Sequence, residues 1–314
     1  MQSGNCIHCH MPRRRTEDAV HVVMTDHLIQ RRRPARNLLA PLAERLESDA
    51  NAYRGPVVLY YPPSMPDGAD KDLYLAVAQV SQKSNLEQGI RDLTAAVERH
   101  RPDRIEFYVQ LGDALNGSSQ VDEARPYYEE AARRDPTSLI ALQRLGFASR
   151  SVDVLKRALG VDPTDAASWH QLGLAYLEQG ARTDALSAFQ RAIELDPDLS
   201  EAQNSLGGFW LESGNSRLAE NAFREAIRIR PDYAEAHSNL ANVLGSTNRF
   251  TEAIYHFERA IRFRPNFAAA RFNYGVALAR MNRYADAQRQ IETALKIDPN
   301  FTQARDALRV LRSR

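Results

Sequence analysis

Two cysteines and a histidine near the start of the chain have the spacing of a covalent haem site. Cys6, Cys9 and His10 form a C-x-x-C-H motif, and these two thiols are the only cysteines in 314 residues. Thiols at this spacing can form thioethers with the two vinyl groups of one haem, and the histidine then lies under the iron as its proximal ligand. The motif therefore predicts the attachment of one haem c.

The sixth iron ligand has several candidates shortly after the motif. A histidine or a methionine on the open face of the haem would complete the coordination of the iron. The residues of this kind are His21, His27, Met11 and Met24. Their types and spacing leave the choice open.

The same segment also allows a zinc site. Cys6, Cys9, His21 and His27 come within one residue of the spacing of a two-cysteine, two-histidine zinc finger. The stretch between the cysteines and the histidines lacks the aromatic and leucine core of such a finger. Zinc is therefore the alternative cofactor, and a zinc-binding adaptor is an alternative function.

Prolines indicate a different organisation through the rest of the chain. From Pro102 to Pro299, seven prolines are separated by 34, 27, 34, 34, 34 and 34 residues. A period of 34 residues is typical of helix–turn–helix repeats, in which a proline ends the second helix because it has no N–H to donate. The interval of 27 predicts one repeat, over residues 139–165, that is shorter by about two helical turns.

Large and small residues recur in register within these repeats. The repeat that begins at Ala166 shows the full pattern: Trp169, Leu172, Gly173 and Tyr176, then Ala185, Phe189, Ala192 and Pro197. The large residues of the first half lie on one face of a helix, and the alanines of the second half let another helix approach it. Since no repeat buries its apolar face alone, the repeats must stack.

This recurring pattern resembles the tetratricopeptide repeat (TPR) family. The resemblance implies an all-α, right-handed superhelical solenoid whose concave groove binds a protein or a peptide. We expect four regions: a small irregular haem-attachment segment over 1–52, a linker with a strand-like run over 53–70, seven repeats over 71–301, and a capping helix over 302–314.

The haem motif lies in a segment that resembles the last haem-binding stretch of multihaem c-type cytochromes with a TPR tail. The resemblance rests on the C-x-x-C-H-Met-Pro opening and on Thr-Asp-His-x-Ile-x-Arg at residues 25–31. It implies a bis-histidine haem with His27 as the possible distal ligand, His21 being the alternative, and electron exchange with a redox partner protein. It also implies further haems upstream, so we expect the chain to be the C-terminal piece of a longer exported protein.

In TPR families, fixed positions of each first helix face the groove. Mapped onto this chain, they form an amide-rich and mildly acidic row that includes His170, Gln171, Asn204, Asn239, Asn242, Asn273 and Arg280. Amide side chains both donate and accept hydrogen bonds, so they can hold a peptide backbone whatever its side chains. We interpret this row as the partner-binding groove.

The composition and the absence of enzyme motifs in the sequence argue against several classes of function. The chain has 41 Lys and Arg against 40 Asp and Glu, which gives no case for nucleic acid as a partner. It has no apolar run long enough to span a membrane and no nucleotide-binding or nucleophile motif, so we expect no enzyme. The main hypothesis is an electron-transfer cytochrome module joined to a TPR scaffold. The alternative is a pure TPR scaffold with an empty C-x-x-C-H motif.

The haem motif also bears on the cellular compartment of the protein. Haem is attached to such motifs outside the cytoplasm, yet no export signal precedes Cys6. We expect the protein in the periplasm or cell envelope if an export signal lies upstream, and in the cytoplasm if the chain is complete as given.

Overall fold

The computed structural model describes residues 68–81 and 85–312. The predicted haem-attachment segment lies outside these residues, so the structure does not place Cys6, Cys9, His10, His21 or His27. The strand-like run of the linker lies outside them as well. Within the described ranges the chain is all-α, with fifteen helices and no strand.

The chain folds as two compact units, divided between Pro136 and Thr137. The described helices of the N-terminal unit are α1 (Ala69–Ser81), α2 (Leu86–His100), α3 (Glu106–Gly117) and α4 (Val121–Arg134). Those of the C-terminal unit are α5 (Leu139–Ser149), α6 (Val152–Val161), α7 (Ala166–Glu178), α8 (Arg182–Leu195), α9 (Ser200–Glu212), α10 (Ser216–Ile229), α11 (Ala234–Ser246), α12 (Phe250–Phe263), α13 (Ala268–Arg280), α14 (Tyr284–Ile297) and α15 (Thr302–Arg312).

Four helix pairs of the C-terminal unit share the same dimensions. The first helices α7, α9, α11 and α13 have 13 residues each, and the second helices α8, α10, α12 and α14 have 14 each. Short turns join the two helices of a pair, and each second helix packs against the first helix of the next pair. The 34-residue period of the sequence therefore corresponds to one helix pair with its connections.

In the pairs α7–α8 and α9–α10, a glycine in the first helix lets the second helix come very close. A Cβ placed on Gly173 would lie 2.5 Å from Cε1 of Phe189, and one placed on Gly207 would lie 2.5 Å from Cε1 of Phe223. Both phenylalanine rings are fully buried. Any larger residue in place of the glycine would force the ring or the helix to move.

Proline carbonyls in the loops between pairs accept hydrogen bonds from side chains of the helix that follows. The fourth residue of the following helix pair supplies the donor in four repeats of the C-terminal unit. The pairs are Trp169 with Pro163 (2.9 Å), His237 with Pro231 (3.1 Å), Arg271 with Pro265 (3.0 Å) and Arg305 with Pro299 (2.6 Å). Tryptophan, histidine and arginine share this position because each carries a ring or guanidinium N–H.

The helix pair α5–α6 is shorter than its neighbours. The helix α5 has 11 residues and α6 has 10, and only Arg150 and Ser151 lie between them. Arg150 takes a left-handed conformation (φ 51°), which makes this tight turn possible. The hydroxyl of Ser151 then accepts the Val154 N–H and caps α6. The seven missing residues are thus divided between both helices and the turn.

The contact between Gly207 and Phe223 leads to a stability prediction. Gly207→Ala should lower the free energy of unfolding by about 1–2 kcal/mol, because overpacking outweighs the ~1 kcal/mol that alanine contributes over glycine in a helix. The adjacent Gly208 is a matched control, since a Cβ placed there meets nothing within 4 Å. Gly208→Ala should raise the free energy of unfolding by about 0.5–1 kcal/mol. Urea unfolding followed by circular dichroism would measure both, and equal effects would contradict the close approach.

Candidate functional site

A row of hydrogen-bonded polar side chains crosses four consecutive first helices of the C-terminal unit. His170 Nε2 lies 2.9 Å from Ser205 Oγ and joins α7 to α9. Asn239 Nδ2 donates to Asn204 Oδ1 (3.1 Å) and joins α9 to α11, and Asn273 Nδ2 donates to Asn242 Oδ1 (3.0 Å) and joins α11 to α13. We call these six side chains the amide row.

The asparagines of the amide row are half-buried, and they bond to one another instead of pointing singly into solvent. Each bond uses only part of what an amide offers, because an asparagine has two N–H donors and one carbonyl acceptor. The remaining groups are available to a ligand. Of the other residues expected in the groove, Gln171 is half-buried and Arg280 is exposed, and neither takes part in the bonds of the row.

His170 is the most buried of the expected groove residues, with 7% of its surface exposed. It packs against Phe189 with a distance of 6.0 Å between ring centroids. Burial lowers the pKa of His170 to about 4, and the charge of Glu201 opposes this shift only in part. At neutral pH the ring is therefore uncharged and contributes a hydrogen bond to Ser205 rather than a charge.

Four glutamates of the first helices, Glu178, Glu201, Glu212 and Glu235, are all paired with arginines. Glu201 bonds to Arg230 at 2.7 Å, and Glu212 lies 3.3 Å from Arg182. Glu235 pairs with Arg264 in the same way, and Glu178 pairs with Arg150. The row therefore lies between ion pairs, and its surroundings are close to neutral.

The carboxylate of Glu201 illustrates this neutralisation. Burial raises the pKa of this carboxyl, but hydrogen bonds from its own backbone and from Ser200 oppose the rise. The charge and hydrogen bond of Arg230 add to that opposition, so the pKa of Glu201 ends below its usual range. The glutamate is ionised and compensated at neutral pH, and it is not an unpaired acid available to a cationic ligand.

The other histidines of the C-terminal repeats form a pair away from the amide row. His237 has only 3% of its surface exposed. Its Nε2 donates to the Pro231 carbonyl, so its Nδ1 accepts the Nδ1–H of His256 at 2.9 Å. Burial, and then the neighbouring His237, lower the pKa of His256 to about 4, and burial also lowers the pKa of His237.

The described residues contain neither a cluster of metal ligands nor a membrane-spanning helix. In the described ranges, no three histidine, cysteine, aspartate or glutamate side chains converge closely enough to hold a metal ion. The helices of those ranges include none long and apolar enough to cross a membrane. The predicted haem and zinc ligands all belong to the segment outside these ranges.

The buried His170 predicts an acid-sensitive stability. Its pKa of about 4 in the folded chain lies below the ordinary value of 6.5. At pH values between about 4 and 6.5, the unfolded chain therefore binds more protons than the folded chain. Stability is therefore full above about pH 6.5 and falls towards pH 4. At pH 5 the loss from His170 alone should be about 1–2 kcal/mol.

Urea unfolding at pH 7 and pH 5 checks this expectation. His170→Gln keeps a polar side chain that does not titrate, so the difference in unfolding free energy between the two pH values should shrink. Asn239→Ala, which removes no titrating group, is the control and should keep the wild-type difference. An unchanged difference in His170→Gln would contradict the buried neutral state of this ring.

Sequence and structure comparisons extend these observations. Sequence models of the tetratricopeptide repeat match residues 80–138, 166–199, 211–266 and 246–311, which together make up more than half of the chain. A comparison with curated proteins found no match.

Solved structures show the same fold at low identity. A tetratricopeptide repeat protein from Parabacteroides merdae ATCC 43184 is 15% identical with a TM-score of 0.62, over 77% of this chain and 98% of that one. A chain of the APC/C hetero-tetramer Cut9-Hcn1 is 15% identical with a TM-score of 0.64, over 77% of this chain and 52% of that one, so this chain spans about half of its length. Together, the 34-residue period, the stacked helix pairs and the matching repeat models show that the chain belongs to the tetratricopeptide repeat family.

Proposed function

We propose that the chain is a protein-interaction scaffold that binds an extended segment of a partner along the amide row. The continuity of the row supports this function: three side-chain hydrogen bonds link the four first helices α7, α9, α11 and α13 in succession. An extended peptide presents an N–H and a carbonyl at each residue. A row of amides can satisfy both kinds of group along its length.

The electrostatics favour recognition of the backbone over recognition of charged side chains. The glutamates beside the row are bonded to arginines, as in the pairs Glu201–Arg230 and Glu212–Arg182. The same pairing occupies the arginines, so they form no cationic cluster for a free carboxylate terminus. A ligand of this groove gains its affinity from main-chain hydrogen bonds and from displaced water.

A second candidate function is electron transfer through one covalent haem c. The C-x-x-C-H motif of Cys6, Cys9 and His10 supports it, with His27 or His21 as distal ligand and a redox protein as partner. Zinc held by Cys6, Cys9, His21 and His27 is the alternative cofactor. In either case the TPR scaffold would hold the partner, and the N-terminal segment would supply the cofactor.

The amide row predicts a loss of binding when its asparagines are shortened. Asn239→Ala combined with Asn273→Ala removes two hydrogen bonds between helices, so it should lower the free energy of unfolding by about 1–3 kcal/mol. The same double variant should bind a selected extended peptide about tenfold more weakly, or weaker still. Asn221→Ala is the matched control, because Asn221 is an exposed asparagine on the second helix α10. It should leave both quantities unchanged.

The ligand for this experiment is a linear peptide selected from a random library on the full chain, with its affinity measured by calorimetry. N-methylation of its backbone amides should weaken binding more than alanine replacement of its side chains. The opposite order, or equal affinity of the double variant and the wild type, would contradict recognition of the backbone by the amide row.

The haem motif predicts covalent attachment when the cell provides export and haem maturation. Wild-type chain fused to an export signal should give a peroxidase-stained band on denaturing gels, because thioether bonds survive denaturation. Cys6→Ala with Cys9→Ala should abolish the stain while the protein level remains the same. An exported wild-type chain without the stain would contradict the haem hypothesis. The remaining hypotheses would then be a pure TPR scaffold and a zinc-binding adaptor.

A further inference from the structure

A pocket of about 650 Å³ opens between α6, α7 and α8 of the C-terminal unit. Its floor is apolar and aromatic, formed by Leu159, Trp169, Leu172 and Tyr176. Lys156, Asp184, Ser187 and Arg191 lie around its mouth. No residue of the amide row lines it, so it is a separate surface.

Gly160 is one of the residues that line this pocket, and it has no side chain to occupy it. Counting from the proline that ends each repeat, the residue three positions earlier is long and charged in the four repeats that follow: Glu194, Arg228, Arg262 and Lys296. At the corresponding place in α6 stands Gly160, and a Cβ built on it meets nothing within 4 Å. The missing side chain leaves open space beside Trp169.

The aromatic floor is held in place before any ligand arrives. Trp169 Nε1 donates to the Pro163 carbonyl at 2.9 Å, which fixes the indole ring. Tyr176 lies under the ammonium of Lys156, 5.6 Å from ring centroid to Nζ. Leu159 and Leu172 are buried in the core below. A preorganised floor of this kind favours a flat ring, which can pack against tryptophan and tyrosine with little loss of entropy.

The mouth offers one cation and one anion on opposite helices. Lys156 of α6 contacts the Tyr176 ring, and in the described part of the chain no carboxylate lies within 4.0 Å of its ammonium. Asp184 of α8 likewise has no arginine or lysine at that distance among the described residues. Arg191 is different, because it pairs with Glu194 at 3.0 Å.

We infer that this pocket binds an aromatic side chain of a partner peptide whose flanking residues are acidic on one side and basic on the other. The ring fills the space left by Gly160 and packs on Trp169 and Tyr176. The acidic flank meets Lys156, and the basic flank meets Asp184. This site is independent of the amide row, and a partner bound there contacts the second helices α6 and α8.

The experiment uses the fluorescence of Trp169 in the full chain. Trp169 and Trp210 are the two tryptophans of the sequence, so Trp210→Phe leaves one reporter at the pocket. The probe is the peptide acetyl-Asp-Gly-Phe-Gly-Lys-amide, compared with a version that has Ala in place of Phe and one with Asn and Gln in place of the charged residues. We expect a saturable change with the first peptide, none with the Ala version, and weaker binding of the uncharged version.

Variants at Gly160 separate filling of the pocket from effects on the helix. Gly160→Arg gives α6 the type of residue that other repeats carry and should weaken binding at least tenfold, whereas Gly160→Ala leaves the space largely open and should keep the affinity within a factor of about two. Both should fold, as circular dichroism would show, because a side chain at this position enters open space. Lys156→Ala and Asp184→Ala should each weaken binding about two- to fivefold, as expected for exposed charges.

Several results would overturn the inference. Absence of a saturable signal up to millimolar peptide, or equal affinity in Gly160→Arg, would mean that the pocket binds no aromatic side chain of this kind. Equal affinity for the uncharged peptide would overturn the role of the two charges. Loss of binding in the variant with Asn239→Ala and Asn273→Ala would place the peptide at the amide row, so this site and the proposed groove can fail separately.

Discussion

Close packing of a first-helix glycine against a second-helix side chain sets the distance between the helices in three of the four regular pairs, where Gly173, Gly207 and Gly275 face Phe189, Phe223 and Ile291. The fourth pair, α11–α12, has the small residue Ala241 at this position. Where Gly207 meets Phe223, the two helices approach until the ring fills the space that a Cβ would need. The alanines Ala219 and Ala226 on the same second helix are fully buried, so they allow this approach along its length. The first helices of successive pairs lie close enough for the side-chain hydrogen bonds that join them.

The amide row is a consequence of this repetition. Its hydrogen bonds join residues 35 or 31 positions apart, one repeat plus or minus a few residues. A polar residue of the row on one first helix therefore bonds to a polar residue on the next, so the hydrogen bonding of each asparagine depends on the residue one repeat away. The proline carbonyls of the loops show the same repetition, because most of those in the C-terminal unit accept a hydrogen bond from the fourth residue of the next helix.

The sequence predicted the helix pairs well, because a period of 34 residues with glycine, alanine and aromatic residues in register depends only on which face of a helix is buried. It could not predict that Asn239 bonds to Asn204, since periodicity identifies a face but not the partner of a side chain. It also missed the burial of His237 and the pairing of Glu201 with Arg230, because the arginine lies 29 residues away in a loop. One signal was present but overlooked: Trp169, His237, Arg271 and Arg305 share a ring or guanidinium N–H at the same position of their repeats.

The two candidate surfaces of the C-terminal unit differ in what they can specify. The amide row offers related contacts in several repeats, so an extended ligand that is read by its backbone could shift along it by one repeat and keep most of its hydrogen bonds. The pocket includes Gly160, a residue that the repeats that follow do not share, because long charged residues stand at the matching position there. A repeated surface therefore offers a large contact area and accepts ligands of many sequences. A feature that occurs at one repeat can instead fix where along the array the ligand binds. Departures from the repeat pattern, such as Gly160 and the shortened α5–α6 pair that contains it, are for this reason the places where specificity is to be sought.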